Sequence, residues 1–294
     1  LKKLSIRDIS VPDFSGLDSN TLVELELDNV SGLTSLSFLK EFPSASRLER
    51  LAVRESGLQS TQGLSAAKSL RSLNVGNNNL RELAEITELK SLQSLSASRN
   101  KIENVSGLEQ LSKLSELTLF SNQLVTLPPM KQLEVAELST NQISDLSFLS
   151  ETSMLRTLSV SANNITSLDA IANHRLIETL DVSNNPVQEP FTGLWLASIK
   201  SLRMNSVALS GLEFLSESHL LEKLYVANTQ IGSLAPISSL PRLKALFAGG
   251  TPVSELTVAN SDLCPTEGSN AVSKFCKRLF KNSDLSPDVS WRFQ

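Results

Sequence analysis

Catalysis needs nucleophiles, bases or metal ligands that can meet, and this sequence owns few of them. It has two histidines, His174 and His219, and two cysteines, Cys264 and Cys276. Serines are abundant, but a nucleophilic relay needs a histidine and an acid beside the hydroxyl, and no serine here has that pair at hand. A zinc site would require more Cys or His near Cys264 and Cys276 than the chain supplies. The two cysteines read as a disulfide, with two buried free thiols as the alternative. No enzyme, metal or cofactor is expected.

The residue type with the most regular spacing is asparagine. Asn78, Asn100, Asn122, Asn141, Asn163 and Asn185 recur in six successive segments. Around them runs the pattern LxxLxLxxNxL: Leu70, Leu73, Val75, Asn78 and Leu80, then Leu92, Leu95, Ala97, Asn100 and Ile102, a step of 22 residues. Turns begin at Leu1, Leu22, Leu48, Leu70, Leu92, Leu114, Leu133, Leu155, Ile177, Ile199, Leu221 and Leu243. A turn of 26 residues carries an insertion around Glu41 to Ser46, and one of 19 has lost a triplet beside Pro128 and Pro129. Both changes avoid the LxxLxLxxN core.

The elements that position these residues follow from side-chain periodicity. In LxL, residues two apart share one side of a strand, so Leu73 and Val75 face inward while Asn74 faces out. Ile102, Val105, Leu108, Leu111 and Leu114 then recur at spacing three, which suits a tight helical turn. A single turn cannot bury its own apolar row, so stability comes from stacking on neighbours. At the ninth position the chain bends inward, and a buried amide there can pair backbone groups that the bend strands. The asparagines are therefore structural.

Composition agrees with this reading. The 294 residues are 40% hydrophobic but only 5% aromatic, with one Tyr and two Trp. Length alone suggests two domains at roughly 100–200 residues each; the repeat turns them into one elongated solenoid. A narrow aliphatic interior has little room for aromatic rings. The net charge of -4 argues against a nucleic-acid surface, and no apolar run approaches the ~18 residues of a membrane span. Leu1 already lies inside the apolar pattern, so no signal peptide opens the sequence and what preceded it is expected to have been removed.

The repeat resembles the leucine-rich repeat family, in the 22-residue class of bacterial internalins that is also seen in a regulatory subunit of protein phosphatase 1. The resemblance covers Leu1 to about Val253. It implies an α/β fold: a right-handed leucine-rich repeat solenoid, a curved horseshoe with a concave parallel sheet and short helical or extended convex segments. Residues 1–253 form the solenoid of about twelve turns, 254–281 a C-terminal cap with a short helix, and 282–294 an extended tail. The cap helix is signalled by Ser269 as N-cap and by Val272, Phe275, Cys276 and Leu279 on one face. In the tail, Trp291 and Phe293 either pack back on the cap or open a further domain. Paired cysteines in a cap resemble the disulfide-bonded flanks of secreted relatives and would imply an oxidising compartment.

Three turns, Leu146 to Leu155, Leu168 to Ile177 and Leu212 to Leu221, put a polar residue (Thr152, His174, Ser218) where an apolar one is expected, so their back segments are read as one wider helical turn. Both histidines then fall on the convex rim, in solvated or capping roles.

The resemblance places recognition at strand positions three, five and seven. In the first zone Lys3 and Arg7, then Glu24, Glu26 and Asp28, then Arg50 and Arg54 form rows that neutralise one another. The middle zone is small and polar (Asn74, Gly76, Ser94, Ser96, Ser98, Thr157, Ser159, Ser161, Thr179, Ser183), interrupted by Phe120 with Glu116, Val135 and Glu137. The third holds Arg203, Asn205, Lys223, Tyr225 and Phe247, with Tyr225 and Phe247 side by side. Aromatics and Arg most often anchor interfaces, so the third zone is the main binding candidate; the alternative is that both rings pack beneath the cap.

The expected function is a non-enzymatic protein-binding module, monomeric, secreted, periplasmic or displayed on a bacterial surface. The alternatives are a glycan-binding surface protein, or an intracellular scaffold or phosphatase-regulatory protein. Free thiols at Cys264 and Cys276 would favour a cytoplasmic location. Sequons at Asn29, Asn104 and Asn164 matter only in a eukaryotic secretory route.

Overall fold

The computed structural model describes residues 1–10, 20–189, 191–255 and 263–282, in two compact units, 1–155 and 156–294. The tail residues Trp291 and Phe293 lie outside the described residues. The first unit contains strands β1 (Lys3–Ser10), β2 (Glu24–Ser31), β3 (Arg50–Arg54), β4 (Ser72–Asn74), β5 (Ser94–Ser96), β6 (Glu116–Thr118) and β7 (Val135–Glu137). Each pairs in parallel with the next, and the register keeps Leu25, Leu51, Leu73, Leu95, Leu117 and Ala136 in one row. The second unit contains β8 (Thr157–Ser159), β9 (Thr179–Asp181), β10 (Ser201–Arg203), β11 (Lys223–Tyr225) and β12 (Ala245–Phe247). Here the aligned row is Leu158, Leu180, Leu202, Leu224 and Leu246.

These rows are the core. Leu73, Val75, Leu95, Ala97, Leu117 and Leu119 are all buried, while the residue between each pair looks outward. Most back segments close on a three- or four-residue 3-10 turn, such as Leu64–Ala66, Ile86–Glu88 and Leu108–Gln110. In the Leu146, Leu168 and Leu212 turns the 3-10 segment is followed by one further helical residue, Ser150, Ala172 or Ser216. Core aromatics enter from these back segments: Trp195, Phe42, Phe148 and Phe191 are buried.

The bend after each strand uses one backbone conformation throughout. The residue just before the ladder position is left-handed every time: φ is 56° at Asn77, 55° at Arg99 and Ser121, 57° at Thr140, 53° at Ala162 and 56° at Asn184. Left-handed backbone is uncommon outside glycine, and here it swings the next side chain into the interior. The asparagine that arrives there bridges two turns. Asn122 Nδ2 donates to Ala97 O (3.1 Å) and Leu119 O (3.0 Å), while its Oδ1 accepts from Ile102 N (3.0 Å). Asn78, Asn100, Asn141 and Asn185 repeat the arrangement, and Asn163 Nδ2 donates to Val160 O at 2.9 Å. Beyond the ladder the substitutes do less: Thr229 Oγ1 donates to Val226 O (2.8 Å), and Val30 and Val207 are simply buried.

At the end of the second unit stands a helix, α1 (Ala271–Asn282). Its Val272 and Cys276 are buried, Ala271 N donates to Leu243 O (3.1 Å), and Asn270 Nδ2 donates to Ser238 O (2.5 Å). The sulfurs of Cys264 and Cys276 lie at disulfide distance, with Cα atoms 5.5 Å apart. The helix thus sits against the last strand and the last 3-10 turns.

Of the two expected roles for His174, solvated or capping, burial rules out the solvated one: it is 5% exposed. Its place in the turn matches Thr152, also buried, whose Oγ1 donates to Met130 O. The position faces the interior because the 3-10 turn closes on it, His174 N donating to Ile171 O at 3.0 Å. His219 does lie at the surface, with Glu217 at 3.2 Å.

Candidate functional site

The outward residues of three-residue strands form a narrow face, since the chain bends inward one or two residues later. Position seven is uneven: Gly76, Ser98 and Ser183 are buried, Phe120, Ser139 and Ser161 are half-buried, and Gly249 is exposed. Ser183 Oγ accepts from Asn205 N at 3.1 Å, so this side chain serves the bend. Positions three and five carry most of the usable surface, with Asp28, Arg54 and Phe120 reaching it from position seven.

In the first unit the charged rows on β1, β2 and β3 compensate one another. Lys3 Nζ contacts Glu24 (2.7 Å) and Glu26 (2.9 Å), Arg7 contacts Asp28 (3.3 Å), and Arg50 contacts Glu24 (3.5 Å). Arg54 holds Asp28 with two hydrogen bonds, Nε to Oδ1 (2.7 Å) and Nη2 to Oδ2 (2.8 Å). Hydrogen bonding from Arg54 keeps the Asp28 carboxyl below the usual carboxylate range, and Lys3 does the same for Glu26. Little charge is left for a partner.

Phe120 is half-buried, and the Arg99 guanidinium sits 5.6 Å from its ring centroid. Glu137 is half-buried on β7 opposite Thr118. Arg99 escaped the sequence reading because it occupies the left-handed bend position rather than the strand. The signal that could have found it is the recurrence of polar or small residues just before each ladder position: Asn77, Arg99, Ser121, Thr140, Ala162 and Asn184.

In the second unit, strand register places Arg203 beside Tyr225 and Tyr225 beside Phe247. The two rings stack, with centroids 4.5 Å apart and planes 2° from parallel. Arg203 Cζ lies over the other face of Tyr225, 4.5 Å from its centroid. Arg203 and Lys223 are exposed, while Tyr225 and Phe247 are half-buried. Asn205 is committed to the bend, its Oδ1 accepting from Ala227 N at 2.8 Å. The structure thus joins Arg203, Tyr225 and Phe247 into one continuous row with Lys223 on the adjoining register position. Phe120 and Glu137 belong to the other unit.

Among the described residues no three His, Cys, Asp or Glu side chains gather where a metal could sit, and no helix is long and apolar enough to cross a membrane.

The parallel strands stacked in sequence order, each followed by an inward bend and most by a 3-10 back segment, define a leucine-rich repeat fold. Among solved structures the chain is similar to an internalin, inlF, from Listeria monocytogenes, with a TM-score of 0.62 and 21% identity over 83% of this chain and 86% of that one. It is also similar to a leucine-rich repeat protein of Leptospira interrogans, with a TM-score of 0.56 and 20% identity over 82% of this chain and 77% of that one. A plant peptide hormone receptor, RGFR1, solved in complex with RGF2, gives a TM-score of 0.67 and 20% identity; 84% of this chain is matched, but it spans only 47% of the receptor chain. No family model matches the sequence, and no curated protein matches it. At such identities the likeness speaks for the fold, and fold does not supply function.

Proposed function

We propose that this chain is a non-enzymatic protein-binding module that takes its partner on the strand face of residues 156–253. One observation carries this reading: the row Arg203, Tyr225 and Phe247. The interior below is already filled by Leu202, Leu224 and Leu246, so the core does not require two stacked rings and a guanidinium outside it. Rigid aromatics and Arg are the side chains that most often dominate binding energy. Phe120, Arg99 and Glu137 form a smaller candidate contact on the other unit. Residues 254–281 act as the cap that covers the last turn, and the paired Cys264 and Cys276 favour an oxidising, extracellular compartment. The internalin neighbour supports a secreted or surface-displayed bacterial protein.

Affinity capture from host-cell and cell-envelope extracts, comparing the wild-type chain with the Tyr225→Ala, Phe247→Ala pair, tests this reading. The pair is expected to lose its specific partner while keeping its thermal midpoint. Undiminished capture by a fully stable double variant would remove this face from consideration.

A further inference from the structure

We propose that the outward face of α1 is a docking surface for an anionic lipid bilayer, separate from the strand face described above. The helix carries Lys274, Lys277, Arg278 and Lys281 and no acid. All four cations are exposed, and none has an ion pair among the described residues. Lys277 Nζ makes a single hydrogen bond, to Gly268 O at 3.1 Å. In a chain of net charge -4 this is a local reversal of sign. With 3.6 residues per turn, the four cations fall within about 100° of the helix circumference, opposite the buried Val272 and Cys276. Acids lie only in the flanking segments, Asp262 and Glu267 before the helix and Asp284 and Asp288 after it. Of these, Glu267 is the one among the described residues, and it is exposed.

Within the fold this arrangement costs stability. Lys274 and Lys277, and Arg278 and Lys281, are three residues apart, while Lys274 and Arg278, and Lys277 and Lys281, are four apart. Each cation therefore repels two others across the helix surface. The helix dipole favours cations in the last turn, which suits Lys281 but not Lys274 in the first. Elsewhere in the unit, strand-edge cations are compensated: Arg156 and Lys200 contact Glu178 at 3.5 and 2.8 Å, and Lys244 contacts Glu222 at 2.9 Å. On α1 the counter-charge has to come from outside. Phe275 and Leu279, half-buried, border the cationic arc beside Arg278, so apolar surface adjoins the charges. That pairing suits a bilayer, anionic at the headgroups and apolar just beneath, better than a soluble polyanion. Since Val272 and Cys276 are committed to the interior, α1 stays on the protein and docks by charge rather than inserting.

Sedimentation of the full chain with vesicles tests the proposal, using equal phosphatidylcholine and phosphatidylglycerol beside phosphatidylcholine alone. Wild type is expected to pellet with the anionic vesicles, to stay in solution with the neutral ones, and to be released as salt rises. Lys277→Gln should bind about fivefold more weakly, as for loss of one cation at an anionic surface. The quadruple variant Lys274→Gln, Lys277→Gln, Arg278→Gln, Lys281→Gln should not bind, yet should melt no lower than wild type because the repulsion is relieved. A control of equal net charge, Lys68→Gln, Lys90→Gln, Lys101→Gln, Lys113→Gln, should bind like wild type, as should the Tyr225→Ala, Phe247→Ala pair. No pelleting of wild type, or the same loss in the control as in the quadruple variant, overturns the proposal. If the quadruple variant unfolds, the single variant decides, and undiminished binding by it overturns the proposal. Retention on heparin without vesicle binding would assign the face to a soluble polyanion and overturn lipid docking.

Discussion

A single asparagine in the ladder closes several backbone bonds that no neighbour can replace. Asn122 is 9% exposed, and three of its hydrogen bonds reach buried backbone in two turns. Asn122→Ala leaves those groups unpaired and is expected to cost about 2–3 kcal/mol, read as a lower midpoint in scanning calorimetry. The residue preceding each ladder position has the opposite character, since its side chain contributes little and its backbone is disfavoured. Ala162, exposed at φ 53°, is the plainest case. A left-handed L-residue costs roughly 1–2 kcal/mol, of which glycine's greater chain entropy returns about half. Ala162→Gly should therefore raise the midpoint, by the equivalent of about 0.5–1 kcal/mol, and Ala162→Val should lower it.

At the scale of elements, β1, β2 and β3 are tied by charge as well as by backbone pairing. Asp28 titrates below the usual carboxylate range because Arg54 hydrogen-bonds its charged form. A carboxyl whose folded pKa is depressed adds stability that is complete above its unfolded pKa and disappears as pH falls through the folded value. Asp28→Asn is expected to lower the midpoint at neutral pH by no more than about 1 kcal/mol, because the Arg54 side chain is 36% exposed and solvent screens the pair. The difference from wild type should shrink as pH drops below the carboxylate range. At the other end, α1 is joined to the segment before it through Cys264 and Cys276. Cys264→Ser should speed hydrogen exchange in 271–282 before it affects β8 to β11, since local opening follows the loss of local constraints. Two freely alkylated thiols in unreduced protein from its native source would place the chain in a reducing compartment instead.

Over the whole molecule, the inward rows carry the packing, and the proposed recognition face lies on the outward rows. Inward rows of Leu, Val and Ile stack turn on turn, and the outward side chains lie outside that packing. The expected consequence is that Tyr225→Ala with Phe247→Ala removes binding and shifts the midpoint by only a few degrees. Circular dichroism melts run beside the capture assay check the two separately. A large fall in midpoint would mean the rings hold the last strands against α1, the alternative already visible in the sequence.

The sequence by itself determined the repeat, the strand facing and the core, because a period of 22 with LxL and a ninth-position amide leaves one way to bury the apolar row. It also placed Tyr225 next to Phe247, since the intervening turn has the common length. Tertiary structure decided what depends on where the short strands end. Position seven at Ser98 and Ser183 is buried because the chain has already turned in, and Arg99 reaches Phe120 from a bend conformation that no residue type announces. His174 is interior because a 3-10 turn closes on it, whereas its sequence neighbours Asn173 and Arg175 are exposed. Only packing across strands left Arg203 on a tyrosine ring while Asp181, beside it in register, turned to the backbone.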